Sequence, residues 1–328
     1  MSRLTSTLAS LALGALTTSL LPAAVAAGGA EAPPPTTIRL ERLERGADAA
    51  AAYVDGDRVV DGARSTRVRG QQLRLLGTRP DGRYVVVVHR GGRAQVRAVT
   101  PEKGSRKILP VYEQETAMLS GDGTRVVTAL YRYRAGRTLL RAYDSTSGVR
   151  TGSVERRGYE SVLDADATTV VHSGDRGPVV AWDPATGTSR RVSARAGYAA
   201  DLAADRLAVL TGDPYEGGCS VVSTLSDPGT ALWRSCEEGV VEFSPDGSHV
   251  ATIHLLTDGL GPSEVAVHTV TGAETGRYRL RSGYFPRAFF EDADTLLLDT
   301  STAKASAVVR CDGPRCELAS DLGAGETW

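Results

Sequence analysis

After residue 50 one pattern recurs along the chain: a short polar turn carrying an aspartate opens onto a run of Val, Leu and Ala. It reads RPDGRYVVVV at 79–88, SGDGTRVVTAL at 120–130, DADATTVV at 164–171, AADRLAVL at 203–210, SPDGSHVATI at 244–253 and EDADTLLL at 291–298. The anchoring aspartates are Asp81, Asp122, Asp166, Asp205, Asp246 and Asp292. A second turn signal keeps phase with the first, at Gly62, Gly104, Gly148, Gly187, Gly229, Gly272 and Gly313, with spacings of 42, 44, 39, 42, 43 and 41 residues. Several of these glycines end a phrase of one kind, AYDSTSG at 142–148, AWDPATG at 181–187 and STLSDPG at 223–229. Gly accepts the positive φ that tight hairpins need, and Asp, Ser and Thr bond to their own turn backbone.

Two turns in phase, each leading into a β-branched run, describe a four-stranded antiparallel unit of about 40 residues, which is the size of a propeller blade. Solenoids of similar period are helical, and the Val-rich runs argue against them. The fold class is therefore all-β, a β-propeller of seven four-stranded blades, with six as the alternative. The first unit, YVDGDRVVDG at 53–62, lacks a clear upstream partner and is the one expected to be incomplete. Ile38 to Leu43 are strand-like and available to supply a missing strand or to close the ring.

Ahead of the repeat, residues 1–26 read as a signal peptide, with Arg3 as the positive region, an apolar stretch from Leu8 to Leu21, and Ala24-Val25-Ala26 before the cleavage point. Gly14, Thr17, Thr18, Ser19 and Pro22 interrupt that stretch, which argues against a membrane anchor. Without an Arg-Arg pair, the general secretory route is expected, leading to the cell envelope or the exterior. Residues 27–37, with Gly28-Gly29 and Pro33-Pro34-Pro35, read as a flexible tether. The propeller is then expected over 38–322, followed by a tail at 323–328.

Composition adds limits. Of 328 residues, 41% are hydrophobic and 23% charged, a globular balance. Thirty-eight Lys and Arg against 39 Asp and Glu leave a net charge of −1, so no global basic field points to nucleic acid. Arginine far outnumbers lysine and asparagine is absent, as in GC-rich bacterial genes.

SPDGSHVA at 244–251 and Trp182-Asp183 followed by PATG are similar to the WD-repeat-like propellers of exported bacterial proteins, including the propeller of the Tol system's periplasmic component. The resemblance covers roughly residues 50–320 and implies blades rather than a particular task. Trp-Asp occurs once, and the Gly-His dipeptide of eukaryotic WD repeats is missing.

Four cysteines in an exported chain suggest two disulfides. Residues opposite in a hairpin share a constant sum of positions. Cys219 and Cys236 are centred between Asp227 and Pro228, and Cys311 and Cys316 on Gly313-Pro314, so these are the expected pairs. With no CxxC or Cys/His cluster, a zinc or redox role has no support, and no metal or other cofactor is expected. His89, His172, His249, His254 and His268 read as satisfied or surface residues of strands. The acidic phrases around Asp55, Asp57, Asp61, Asp164 and Asp166 lack the spacing of a calcium loop and read as turns.

One set of positions stands apart. Where the chain enters each innermost strand, seven residues before the anchoring aspartate, stand Arg74, Glu115, Tyr159, Tyr198, Gly239 and Phe285, with Tyr284 beside the last. In a propeller these form a ring at one channel mouth. Tyr and Arg suit protein-binding surfaces, while tyrosines wedged between blades would only seal the structure. The sequence is thus read as an exported, monomeric, non-catalytic module that binds a protein or small ligand at a channel mouth lined by Tyr159, Tyr198, Tyr284, Arg74 and Glu115. One alternative is a propeller hydrolase or lactonase, which would need carboxylates or histidines converging on the channel from several blades. The other is a purely structural envelope protein.

Overall fold

The computed structural model describes residues 33–100, 104–112 and 115–325; the proposed signal peptide lies outside them. Seven antiparallel sheets follow one another along the chain and form a seven-bladed β-propeller. In each blade the strands pair in sequence order from the channel outward. Blade 1 comprises Tyr53–Asp55, Arg58–Asp61 and Arg64–Arg67. Blade 2 runs through Gln71–Thr78, Tyr84–Arg90, Arg93–Thr100 and Gly104–Val111. Blade 3 is Glu115–Leu119, Arg125–Arg132, Arg137–Asp144 and Arg150–Arg157. Blade 4 is Glu160–Ala165, Val170–Gly174, Val179–Trp182 and Ser189–Ser193, and blade 5 is Gly197–Asp201, Arg206–Leu210, Ser220–Ser223 and Trp233–Ser235. Blade 6 is Glu238–Phe243, His249–His254, Glu264–Thr269 and Glu274–Leu280, and blade 7 is Tyr284–Phe290, Leu296–Ser301, Ala305–Asp312 and Arg315–Leu318. Blade 1 is the incomplete one, with three strands instead of four. The described residues contain no α-helix, only three short 3-10 turns.

The periodic glycines are where the chain reverses. Six of the seven have positive φ, Gly229 being the exception. At Gly148 a Cβ would also stand 2.5 Å from the Ile108 carbonyl oxygen, so the turn between blade 3's outer strands presses directly on blade 2. The aspartates act as read. Asp246 Oδ1 accepts from the Ser248 amide at 3.0 Å and from the Ser244 hydroxyl at 2.7 Å, and Asp122 repeats the arrangement with Thr124 and Ser120.

The apolar side chains form seven clusters, and each lies between two neighbouring blades. Val85, Val96, Leu109, Leu119 and Val126 join blades 2 and 3; Leu140, Ala165, Val170 and Trp182 join blades 3 and 4. Tyr53, Phe289, Leu297 and Val308 join blade 7 to blade 1. The last and first blades are not consecutive in the chain, and no strand is shared between them, so this seam is held differently from the others.

The hold comes from the N-terminal arm. Thr36–Ile38 add as a parallel fifth strand to the edge of blade 6, with Ile38 opposite Leu280. The next residues cross blade 7, where the Gly46 amide bonds Leu318 O at 2.9 Å, the Leu318 amide bonds Glu44 O at 2.8 Å, and the Ala49 amide bonds Ala319 O at 2.9 Å. The Arg310 guanidinium adds bonds to the carbonyls of Ala47 and Asp48, and Tyr53 then enters blade 1. The arm therefore closes the ring rather than supplying blade 1's missing strand. It begins at Thr36, two residues inside the stretch read as tether, and a closing pair at Gly323–Ala324 extends the sheet of blade 7 past residue 322.

Both disulfides have the expected pairing, Cys219 to Cys236 and Cys311 to Cys316, with the second bridging directly opposed residues. Each ties an outermost strand to its neighbour, and the outer strand of blade 5, Trp233–Ser235, is only three residues long. Replacing both Cys219 and Cys236 with Ser should lower unfolding free energy by about 3 kcal/mol, and the Cys311/Cys316 pair by about 2 kcal/mol, by loop-closure entropy. Denaturant titration measures both, and the far-UV spectrum should stay β-type; a spectrum that turns coil-like would mean the bridges carry the fold.

Candidate functional site

Strand direction fixes what each face of the ring is made of. One face, here the turn face, carries the links from innermost to second strands and from third to outermost strands. The other, the loop face, carries the links from second to third strands and the crossings between blades.

The turn face is occupied by closure chemistry. Arg79 reaches blade 3 at the Ser145 carbonyl and Thr146 hydroxyl, Arg125 reaches blade 4 at the carbonyls of Asp166 and Ala167, and Arg206 reaches blade 6 at Gly247 O, 2.8 Å away. Asp164 does the same with opposite polarity, accepting from the Leu202 amide of blade 5 at 2.7 Å.

The innermost strands carry β-bulges in blades 2, 4, 5, 6 and 7, and a bulge re-aims the extra side chain. In blade 5 the bulged residue is Tyr198. Its hydroxyl lies 2.6 Å from Ser220 Oγ and accepts the Val240 amide of blade 6 at 3.0 Å. This tyrosine is a wedge, and burial pushes its pKa up. Leu163 is the equivalent in blade 4, filling the space beside Gly197.

The other members of the expected ring fall into separate settings. Glu115 has a buried carboxylate paired with Arg141 at 2.8 Å and accepting the Tyr112 amide at 3.1 Å. Arg74 donates to Ala117 O of blade 3 at 3.0 Å, and burial lowers its pKa. Tyr284 packs at Gly261, where a Cβ would come within 2.9 Å of its ring. Gly239 and Phe285 are buried. Tyr159 alone among the five named side chains is a largely exposed aromatic, 44% accessible.

Tyr159 belongs to a different group, that of the loop face. Its ring packs edge-on against Tyr131 at 5.7 Å, and Tyr131 packs against Tyr133 at 4.7 Å. Of the nine large apolar or aromatic side chains most exposed among the described residues, Tyr112, Tyr133, Tyr159, Tyr215, Leu256 and Leu260 lie on loop-face connections. Beside them a groove of about 1230 Å³ opens between blades 2 and 3, lined by Arg90, Arg93, Tyr112, Arg141 and Tyr143. The sequence signal for Tyr133 was present in YRYRAG at 131–136, but that loop falls outside the two repeated turn phrases.

Glu160, one residue past Tyr159, and Glu238, one residue before Gly239, were also missed. Glu160 and Glu238 head their strands as Glu115 does. His172 Nδ1 stands 2.7 Å from Glu160, and His268 Nε2 stands 2.6 Å from Glu238, which also binds Arg277 at 2.7 Å. Burial opposes charge at Glu238, yet His268 and Arg277 hold its carboxyl down at about 2. Paired so fully, these acids read as blade internals.

The channel interior differs. Glu242 in blade 6 has no hydrogen-bond partner among the described residues; it is opposed by Asp201 and Asp164 and favoured by Arg287. Water reaches it, but the ring encloses it, and that loss of bulk solvent raises its pKa from 4.5 to about 7. Asp164 and Asp299 rise to about 6, again mainly by burial, with Asp299 eased by Arg287 opposite it in the ladder. Glu242 and Asp299 thus share Arg287 as their cationic neighbour, and Asp164 and Asp201 act on Glu242 from the two preceding blades. No group of three His, Cys, Asp or Glu among the described residues is arranged to hold a metal ion.

No protein-family model matches the chain, and no curated sequence matches it. Solved structures do. The β-propeller domain of the Trilobed protease from Pyrococcus furiosus, described as having an open velcro topology, aligns at TM-score 0.57 and 13% identity over 84% of this chain and 97% of its own. An uncharacterised protein of Listeria monocytogenes aligns at TM-score 0.52 and 13% identity, over 80% of this chain and 88% of its own. The acylaminoacyl peptidase of Pyrococcus horikoshii aligns at 0.55 and 12%, and there the chain spans 47% of the longer protein. At these identities the likeness is one of fold.

The raised carboxyls set a pH dependence. A carboxyl whose pKa is raised on folding binds its proton more tightly in the native state, so its contribution to stability falls as pH rises from about 4.5 to about 7 for Glu242. Glu238 and Asp246, held down at about 2, act oppositely and lose their contribution only as pH falls below about 4. Glu242→Gln should therefore raise the melting temperature above pH 7 and leave it nearly unchanged at pH 5. An equal shift at both would show that Glu242 is not held near neutrality.

Proposed function

We propose that the protein is a non-catalytic binding module of the cell envelope or exterior, acting as a monomer and presenting its loop face to a protein partner. The observation that carries this reading is the gathering of exposed Tyr and Leu side chains on that face, while the turn face is consumed by contacts between blades. Tyrosine combines large contact area with a polar tip, and loops held by a rigid ring can vary without cost to the fold. The disulfides fit an oxidising compartment. No helix among the described residues is long and apolar enough to cross a membrane.

Tyr133→Ala with Tyr159→Ala should weaken capture of partner proteins from envelope extract by at least about 2 kcal/mol, the scale of an interface hot spot, with the melting temperature held. Tyr198→Phe should do the reverse, costing about 1–3 kcal/mol of stability by leaving the Val240 amide unpaired, with capture retained. Capture that survives the Tyr133/Tyr159 double replacement would discard the loop face as the binding surface.

The grouping of Glu242 with Asp164 and Asp201, and of Glu242 and Asp299 with Arg287, favours a second reading, a channel-centred hydrolase or lactonase in which a carboxyl poised near neutrality serves as general acid or base. Turnover of ester, lactone or peptide substrates that is abolished by Glu242→Gln would establish it; absence of turnover in the unaltered protein would remove it.

A further inference from the structure

The net charge of −1 conceals a division of the ring. Residues 68–158, which build blades 2 and 3, carry 18 Arg and Lys against 7 Asp and Glu, whereas residues 159–328 carry 13 against 25. One sector is therefore basic by 11 charges and the remainder of the ring acidic by 12. Some of the basic excess is structural, since Arg79, Arg97 and Arg125 are buried and bonded to backbone. Arg106 and Lys107 lie on an outermost strand, where charge blunts an open edge. Neither explanation covers the loop face. Arg90, Arg93 and Arg134 stand exposed at its hairpin tips with no ion-pair or hydrogen-bond partner among the described residues.

Moreover, Arg90 is directly opposite Arg93 across a Gly91-Gly92 turn, and Arg137 is flanked by Arg132 on one side and Arg157 on the other. Like charges opposed in a ladder destabilise it. Glu155 offsets part of this by pairing with Arg132 and Arg137. The rest is a folding cost with no internal return.

We infer that the loop face of blades 2 and 3 is the docking surface for an acidic protein segment. This rests on the loop-face reading and adds the chemistry of the partner. Arg and Tyr together are the side chains that anchor protein interfaces, and the groove between the two blades receives an extended segment whose carboxylates meet Arg90 and Arg93. A broad anionic surface such as a bilayer, laid on the same face, would also meet the acidic blades 4 to 7. Nucleic-acid bases need flat, open rings to stack on, but Tyr131, Tyr133 and Tyr159 pack edge to face, and Arg141 covers Tyr112.

The test uses a fluorescent poly-L-glutamate peptide as the probe. Arg90→Ser, Arg93→Ser and Arg134→Ser combined should weaken its binding about tenfold or more, with the melting temperature held and the affinity falling as salt rises. Arg190→Ser, Arg191→Ser and Arg195→Ser, an equal charge change on the exposed surface of blades 4 and 5, should leave binding within about twofold. Equal weakening by both triple variants would overturn the inference. So would tighter binding of an oligodeoxythymidine of matched charge or of phosphatidylglycerol vesicles, or salt-sensitive self-association in which the acidic blades of a second copy fill the role. The two readings fail differently. Poly-L-glutamate binding untouched by the Arg90/Arg93/Arg134 replacement, alongside partner capture lost in the Tyr133/Tyr159 variant, sinks the acidic class alone; capture untouched by the tyrosine changes sinks the loop face itself.

Discussion

Every blade of this ring depends on its two neighbours to bury its apolar faces. The seven clusters each straddle a seam, so no blade holds a core of its own and the fold is stable only when the last seam closes. Six seams close between blades that follow one another along the chain. The seventh joins blade 7 to blade 1, the two ends of the series, and its apolar cluster around Tyr53, Phe289 and Leu297 is reinforced by the N-terminal arm. Because the arm pairs first with blade 6 and then crosses blade 7, it spreads one backbone ladder over the weak junction.

That requirement distributes chemistry unevenly between the faces. Four of the seven seams have a polar fastening at the turn face from Arg79, Arg125, Asp164 and Arg206, bonded to backbone carbonyls or an amide that no side-chain change can remove. The same turn of the repeat thus holds the anchoring aspartates and, at differing offsets from them, these arginines. The loop face is fastened as well, by the Glu160 amide on Thr138 Oγ1 and the Gly197 amide on Ser173 Oγ, but its hairpin tips stand clear of these contacts. Their side chains are free to serve something outside the molecule, and it is there that exposed tyrosines and unpaired arginines collect.

What the sequence made legible was whatever repeats. The SPDG-like phrases and the 39–44-residue glycine spacing carried blade number and hairpin register far enough to pair Cys219 with Cys236 and Cys311 with Cys316. Side-chain direction was not legible in the same way. Tyr159 and Tyr198 occupy equivalent positions before their aspartates, yet Tyr198 lies on a bulge that turns it into the seam, while Tyr159 precedes its strand and stays outside. A one-residue bulge leaves no mark in composition. Nor did the channel carboxylates show themselves, because Asp164, Asp201, Glu242 and Asp299 come from three strand positions that coincide only once the ring is closed.

The charge division follows from a different kind of blindness. Averaged over the chain, basic and acidic residues cancel, and the cancellation hides a separation that a ring converts into geometry. In a propeller, consecutive sequence becomes consecutive angle, so a run of some ninety basic-rich residues becomes a sector rather than a scattered excess. Opposed arginines within that sector repel one another at close range, where screening by salt is weakest. A fold whose seams already depend on arginines bonded to backbone has no structural use for the additional unpaired ones at Arg90, Arg93 and Arg134. Their cost falls on the face that the closure of the ring leaves free, and that coincidence, rather than the number of charges, marks it as a surface for an oppositely charged partner.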